Sequence, residues 1–256
     1  MSNPAILAEP PSADCCKPGF IHSGELKGET IKIAGFDTYA AHPPQPSKKV
    51  ILAFPDAHGP FHINNQLLFD YFASQGFFVV AVDYFEGNSV QINRDKTGFD
   101  VMAWINPKLE RAREIIAPKW IEAVIEKYGG TDMKFGTVGY CFGASFVIDI
   151  CATDKVKAGA FAHPSFLDEN HFASELASSP GPLLLACAEE NHTFSPGSRH
   201  QSEELLKANQ ATYFNQLFSG VKHEFTLRGN MEVEHEHWAK EQSAYGMVSW
   251  WNRFLV

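Results

Sequence analysis

The chain has 256 residues, 45% of them hydrophobic and 20% charged, with a formal net charge of -9. That length suits one large α/β domain better than two small ones and supports a sizeable core. The acidic balance offers nothing to neutralise phosphates, which argues against a nucleic-acid partner, and no apolar run reaches the roughly 18 residues of a membrane span.

The first 28 residues, rich in Pro, Ser and Gly, read as a surface arm, and residues 29–256 as a single domain. "MSNPAILAEPPSADCCKPGF" lacks a basic region followed by an apolar core, so no signal peptide is expected and the cytoplasm is the default compartment. The five cysteines, at 15, 16, 141, 151 and 187, are odd in number and scattered. They read as reduced thiols, and Cys15 and Cys16 lack the second pair that a zinc site needs.

"ETIKIAGFDTYAAHP" predicts a hairpin turning around Gly35-Phe36-Asp37. Beyond it, continuous apolar runs alternate with helical spacing. "VILAF" (50–54) and "FFVVAVD" (77–83) fit strands covered on both faces, and "NQLLFDYFASQG" between them fits a helix capped by Gly76. Residues 108–130 predict a helix that Pro118 kinks or divides. Strands are expected at 135–140, 158–163, 182–188 and 212–218, and further helices at 198–210 and 237–255. This alternation implies an α/β fold with a doubly wound, mostly parallel sheet.

One short stretch carries chemistry. In "GYCFGA", Gly139-Tyr140-Cys141-Phe142-Gly143 has the G-x-nucleophile-x-G spacing of a sharp strand-to-helix turn, with cysteine as the nucleophile. Such a turn lifts the sulfur above the carboxyl edge of the sheet and sets it at a helix N-terminus, where a thiolate is favoured. A core cysteine is the competing reading, and Cys151 and Cys187, in apolar patterns, fit that description. The order downstream favours the nucleophile. Glu189-Glu190-Asn191-His192 follows one later strand and His223 follows the next, the order of an acid and then a base. His235 and His237 lack a third metal ligand and read as part of a charged helix entry, while His163 and His192 are competitors for a place in the pocket.

"CCKPGFIHSGELKGE", "DAHG", "DYFEGN", "GYCFGA", "ENHTF" and "VKHEFTLRG", in that order, resemble the dienelactone hydrolase family, particularly its fungal branch. The resemblance implies an α/β-hydrolase fold, no metal or organic cofactor, and a Cys-His-Asp triad that opens lactones or activated esters. It aligns Cys141 with the nucleophile, His223 with the base, and the N–H groups of Phe142 and Ala57 with the oxyanion hole. It aligns Asp56 with an acid that contacts the resting thiol, and Arg228 with a substrate-carboxylate contact, a surface arginine being the alternative. The sequence departs from the family where Asn191 takes the place of the triad acid, where Glu224 follows His223, and at Gly87-Asn88. Asn191 is the expected orienter of His223, with Glu190 the fallback.

Tyr84, Phe85, Trp104, Phe194 and Phe61 are expected around the site, as pocket wall for a flat or unsaturated substrate or as ordinary core. The leading reading is a cysteine hydrolase of a small lactone or ester. A non-hydrolytic cyclase, lyase or isomerase of a fungal biosynthetic pathway stands second, and a silent hydrolase-like binding protein third. A small molecule is the expected partner, and the sequence leaves the oligomeric state open, a homodimer included.

Overall fold

The computed structural model describes residues 4–12, 17–173 and 181–256. Its centre is a sheet of strands β2 (Glu29–Ile33), β3 (Phe36–Ala41), β4 (Lys49–Phe54), β5 (Phe78–Val82), β6 (Lys134–Tyr140), β7 (Ala158–Ala162), β9 (Leu183–Glu190) and β10 (Tyr213–Lys222). In space the order is β10-β9-β7-β6-β4-β5-β3-β2, eight strands among the described residues. Only β2 and β3 run antiparallel to their neighbours. The other strands are parallel, so each needs a crossover, and helices cover both faces.

On one face Phe54 and Phe161 pack under α3 (Ala117–Tyr128), α4 (Ala144–Cys151) and α6 (Pro196–Ala208). On the other, α1 (Ile63–Ser74) and α8 (Glu234–Phe254) bring Phe72 and Trp251 together edge to face at 5.0 Å. The expected doubly wound, mostly parallel sheet is the one observed.

Three local features differ from the sequence expectation. The hairpin turns at Ala34 and Gly35, both left-handed (φ 53° and 87°), and Phe36 already pairs with Ile33. Two left-handed residues match the twist of the strands, which a turn centred on Phe36 would not. The helix expected from 108 begins as α2 at Val101–Arg111, where Asp100 caps the N–H groups of Met102 and Ala103. The helical path runs on past Pro118, which lies in the first turn of α3 just after a wide π-helical turn at Ala112–Ile116. The arm also holds a strand, β1 (Ile6–Ala8), which pairs with β8 (Leu167–Asp168) and buries Leu7 and Ala8. Between β8 and β9 lies the short α5 (Glu169–Ala173).

Candidate active site

The carboxyl ends of β6, β7, β9 and β10 stand side by side, and each delivers polar groups to that edge of the sheet. β6 delivers Cys141, which is buried and left-handed, φ 49°. A non-glycine residue held there costs about 1–3 kcal/mol, which the packing of the turn must offset. The two glycines are required by contact. A Cβ at Gly139 would meet the Gly143 carbonyl oxygen at 2.3 Å, and one at Gly143 would meet the Phe54 oxygen at 1.9 Å. The turn therefore lies directly against the end of β4, alongside the loop that begins at Pro55. From there the chain enters α4.

β7 delivers Ser165. Its N–H donates to the Cys141 carbonyl at 3.0 Å, and its hydroxyl lies 3.3 Å from the Cys141 sulfur. β9 delivers Asn191 and Thr193, and β10 delivers His223. His223 Nδ1 lies 2.8 Å from Asn191 Oδ1 and 3.1 Å from Thr193 Oγ1. Thr193 donates its backbone N–H to Asn191 Oδ1 at 3.1 Å, and its hydroxyl lies 2.8 Å from that oxygen and 2.7 Å from the Pro164 carbonyl. Turning the Asn191 amide over would set its NH2 against the Thr193 N–H, donor to donor. The amide oxygen therefore faces the ring, and Nδ1 carries the imidazole proton. That leaves Nε2 with its lone pair, buried and without a hydrogen-bond partner among the described residues. Asn191 Nδ2 is likewise unpartnered.

Glu190 is the last residue of β9, and its carboxylate is exposed, 4.0 Å from Lys222 Nζ. Only its backbone meets His223, the carbonyl accepting the His223 N–H at 3.1 Å. The side chain alternates to the far side of the strand from Asn191. His163 and His192 flank His223, their rings 4.8 and 4.9 Å from its own. Burial, with His223 and Arg228 nearby, holds His163 well below the usual imidazole range. It is neutral, with Nε2 2.7 Å from the Thr226 hydroxyl.

Asp56 and Arg228 meet each other. Arg228 lies in α7 (Phe225–Arg228), is buried, and donates Nη1–H to Asp56 Oδ2 and Nε–H to Glu224 at 2.9 Å. Asp56 also accepts from Asn65 at 2.9 Å and contacts His58 Nδ1 at 3.1 Å. Burial alone would push the Asp56 carboxyl up, but the Arg228 guanidinium and His58 overcome it and hold that group well below the carboxylate range. Glu224 is left-handed, φ 79°, a conformation that favours glycine. Its ion pair with Arg228 Nη2, at 2.7 Å, offsets that strain.

Of the expected aromatic wall, Tyr84 and Phe85 pack on Phe142 with ring centres 4.9 and 5.0 Å away. Trp104 stacks behind Phe85 at 5.5 Å, and the Tyr84 hydroxyl donates to the Pro55 carbonyl. Phe194 is buried next to Thr193, and Phe61 is 37% exposed. Ala57 is buried in the loop after β4, and its carbonyl accepts the Val90 N–H at 3.0 Å. His235 bonds the Ser219 carbonyl and His237 pairs with Glu241 at 2.9 Å. Among the described residues no cluster of His, Cys, Asp or Glu could hold a metal ion, and no helix is long and apolar enough to cross a membrane. Cys15 and Cys16 lie outside the described residues. Ser165 and Thr193 were not singled out in the sequence. Thr193 sits inside the quoted "ENHTF", whereas Ser165 follows a strand with no local signal.

The parallel sheet, the turn after β6 and the loops after β9 and β10 define an α/β-hydrolase. Solved structures agree. A Klebsiella pneumoniae subsp. pneumoniae structure, described as that of a candidate dienelactone hydrolase, superposes with a TM-score of 0.71, covering 90% of this chain and 100% of that one. At 14% identity, this likeness speaks for the fold alone. The sequence profile of the dienelactone hydrolase family matches residues 36–255. Dienlactone hydrolase 1 of Gibberella moniliformis is 36% identical over 262 residues, covering 99% of this chain and 98% of the relative. Hydrolase tropI of Talaromyces stipitatus is 33% identical over 258 residues, covering 97% and 99%. The chain belongs to the dienelactone hydrolase family and is a hydrolase.

Proposed function

We propose that this hydrolase opens a small lactone or activated ester through a thioester on Cys141. The observation that carries the proposal is the base. His223 Nδ1 is committed to Asn191 at 2.8 Å, while Nε2 is unpartnered, at the end of the same row of strands that presents Cys141. Nε2 takes the thiol proton as sulfur attacks the carbonyl carbon. The carbon–oxygen double bond opens towards the N–H groups of Phe142 and Ala57, which stabilise the oxyanion by a few kcal/mol. The tetrahedral species then collapses, the ester C–O bond breaks, and the imidazolium returns its proton to the leaving alkoxide. In a lactone that alkoxide stays on the same molecule. Water next attacks the thioester with His223 as base, and the thiolate departs, leaving a carboxylic acid.

Ser165 supports the nucleophile, because its hydroxyl can donate to the sulfur as the thiol proton leaves. Asp56 and Arg228 are assigned a different task from the one the family resemblance implies. They hold α7, and with it the His223 loop, in place, since the principal donors of Arg228 are taken up by Asp56 and Glu224. The apolar side of the site, Tyr84, Phe85, Phe142 and Trp104, suits a flat, unsaturated acyl group.

Intact-protein mass spectrometry after mixing with p-nitrophenyl acetate tests the reading. A +42 Da acetyl adduct (about that mass, for one acetyl replacing one proton) should map to Cys141 and vanish in Cys141→Ala. In His223→Ala the adduct should form slowly and persist. Turnover of esters by the Cys141→Ala variant at the wild-type rate would overturn the thioester route in favour of proton transfer alone.

A further inference from the structure

A second cavity, of about 750 Å3, opens between the arm, α1 and α8. Its walls include Ile21 and His22 from the arm, Leu67 and Tyr71 from α1, and Lys240 and Tyr245 from α8. None of Cys141, Asn191 and His223 borders it. The volume lies within the range of small-molecule sites, roughly 300–1,000 Å3. The lining is mostly apolar, with one cation, Lys240, and one carboxylate, Glu241, which pairs with His237. Lys240 Nζ donates to the carbonyls of Thr226 at 2.6 Å and Leu227 at 3.4 Å. The His22 ring reaches the same Leu227 carbonyl, 3.0 Å from Nε2. Two of the three ammonium protons are thus placed, and among the described residues no carboxylate pairs with Nζ. Its charged neighbour is Arg228, of the same sign.

An ammonium drawn off water into an apolar wall without a counter-ion is an incomplete ion pair. We propose that this cavity binds a small amphipathic monocarboxylate, its carboxylate on Lys240 and its aromatic or alkyl body against Leu67, Tyr71 and Tyr245. The proposal is independent of the chemistry at Cys141.

Proton linkage follows from the pairing. Burial, with Arg228 adding to it, pushes the Lys240 ammonium down to about 7. A bound carboxylate favours the charged form, so binding above neutral pH takes up a proton and weakens as pH rises. The other titratable groups on the cavity wall are His22, Tyr71, Glu241 and Tyr245, with Arg228 beyond them in α7. Burial lowers His22 to about 4 and raises Tyr71, so both stay neutral from pH 6.5 to 8.5. The Glu241 carboxylate lies at His237 Nε2, 2.9 Å away.

The test is calorimetric titration of the whole chain with 4-phenylbutyrate and with the neutral 4-phenylbutyramide. The acid should bind at least about tenfold tighter than the amide at pH 6.5, and lose about tenfold by pH 8.5. At pH 7.5, titrations in buffers of different ionisation enthalpy should reveal proton uptake. Lys240→Gln keeps a donor for the α7 carbonyls but removes the charge, and should make acid and amide equal. Leu67→Glu, which supplies an internal carboxylate while leaving Lys240 in place, should abolish acid binding even if the first variant fails to fold. Equal affinity for acid and amide in the wild type, no acid binding at millimolar concentration, or acid binding unchanged in a folded variant would each overturn the proposal.

Discussion

Helix α4 has a thiol at each end, and the two sit in opposite surroundings at the same burial. Cys141, before its first turn, is 1% exposed, and Cys151, its last residue, is 0% exposed. Cys151 rests in the notch of β7, where a Cβ on Gly159 would meet its sulfur at 2.4 Å, and burial in apolar contacts pushes its thiol far up. Cys187, inside β9, is pushed up to about 12 for the same reason. Cys141 instead faces the Ser165 hydroxyl, at the positive end of the α4 dipole. Burial therefore says little about whether a cysteine can react. What surrounds the sulfur decides it, and that is set by which end of a strand or helix the chain has reached.

The sharpest way to break this contrast is to remove each thiol in turn. Cys141→Ala should lower kcat/KM on an activated ester by at least about a thousandfold with the melting temperature nearly unchanged. Cys151→Ala should do the reverse, sparing turnover and costing about 1–2 kcal/mol in urea denaturation for the small cavity it leaves. An active Cys141→Ala enzyme would place the chemistry elsewhere. Alkylation gives a finer comparison. Iodoacetamide should label Cys141 at least about tenfold faster than Cys151 or Cys187, as peptide mapping would read. Slowest labelling at Cys141 would remove its claim to a thiolate.

A second contrast lies between two kinds of polar interior. One joins amide, hydroxyl and imidazole groups through hydrogen bonds at Asn191, Thr193 and His223, whereas the Asp56–Arg228–Glu224 group is ionic and buried. Removing one partner of such a pair strands the other, so Arg228→Ala should destabilise the fold by about 3–5 kcal/mol. If Arg228 instead served chiefly to hold a substrate carboxylate, the urea midpoint would hardly move and acidic substrates alone would suffer.

These groups also set the response to acid. His22 and His62 are lowered to about 4 and His163 lies well below its usual range, in each case mainly by burial. A folded value below the unfolded one means the unfolded chain binds more protons. Their stabilisation is complete above the ordinary histidine value of 6.5 and is lost as pH falls from there towards 4. Asp56, also depressed, adds its loss only below the ordinary carboxylate range. The urea midpoint should rise with pH above 7, where the unfolded chain keeps a Lys240 proton that the fold has shed, and decline between pH 6.5 and 4. A flat midpoint across that window would mean these histidines titrate normally in the fold.

Much of this was legible in the sequence because it rests on local patterning. Apolar runs such as "VILAF" can only be covered on both faces, and the glycines around Cys141 signal a turn with no room for side chains. What was not legible depends on strand order. Ser165 reaches Cys141 because β7 lies beside β6, and Thr193 reaches His223 because β9 lies beside β10. No spacing within a single loop encodes those meetings. The partners of Arg228 were hidden for the same reason, since Asp56 is brought to it from the far side of the sequence. Pro118 misled differently: the helical path runs on past it, after a wide turn that composition does not reveal.

The smallest effect is also the most discriminating, and it concerns Asn191. Three donors converge on its side-chain oxygen: the Thr193 N–H, the Thr193 hydroxyl and His223 Nδ1–H, at 3.1, 2.8 and 2.8 Å. Its NH2 has no acceptor among the described residues. That wiring would serve a carboxylate at least as well as an amide. Asn191→Asp would keep every bond to the ring and add a charge that stabilises the imidazolium formed when Cys141 loses its proton. The new carboxylate's second oxygen would replace an unpartnered donor with an unpartnered acceptor, so part of the gain is returned as desolvation. We therefore expect acylation by Asn191→Asp to match or exceed wild type, by no more than about tenfold, or roughly 1.4 kcal/mol. Asn191→Ala leaves the ring with the Thr193 hydroxyl as its partner, which can donate to Nδ1 and select the wrong tautomer. It should slow acylation by more than about tenfold. Glu190→Gln, changing an exposed carboxylate, should be silent. Pre-steady-state release of p-nitrophenol separates the three variants, and damage from Glu190→Gln with none from Asn191→Ala would transfer the orienting role to the neighbouring residue.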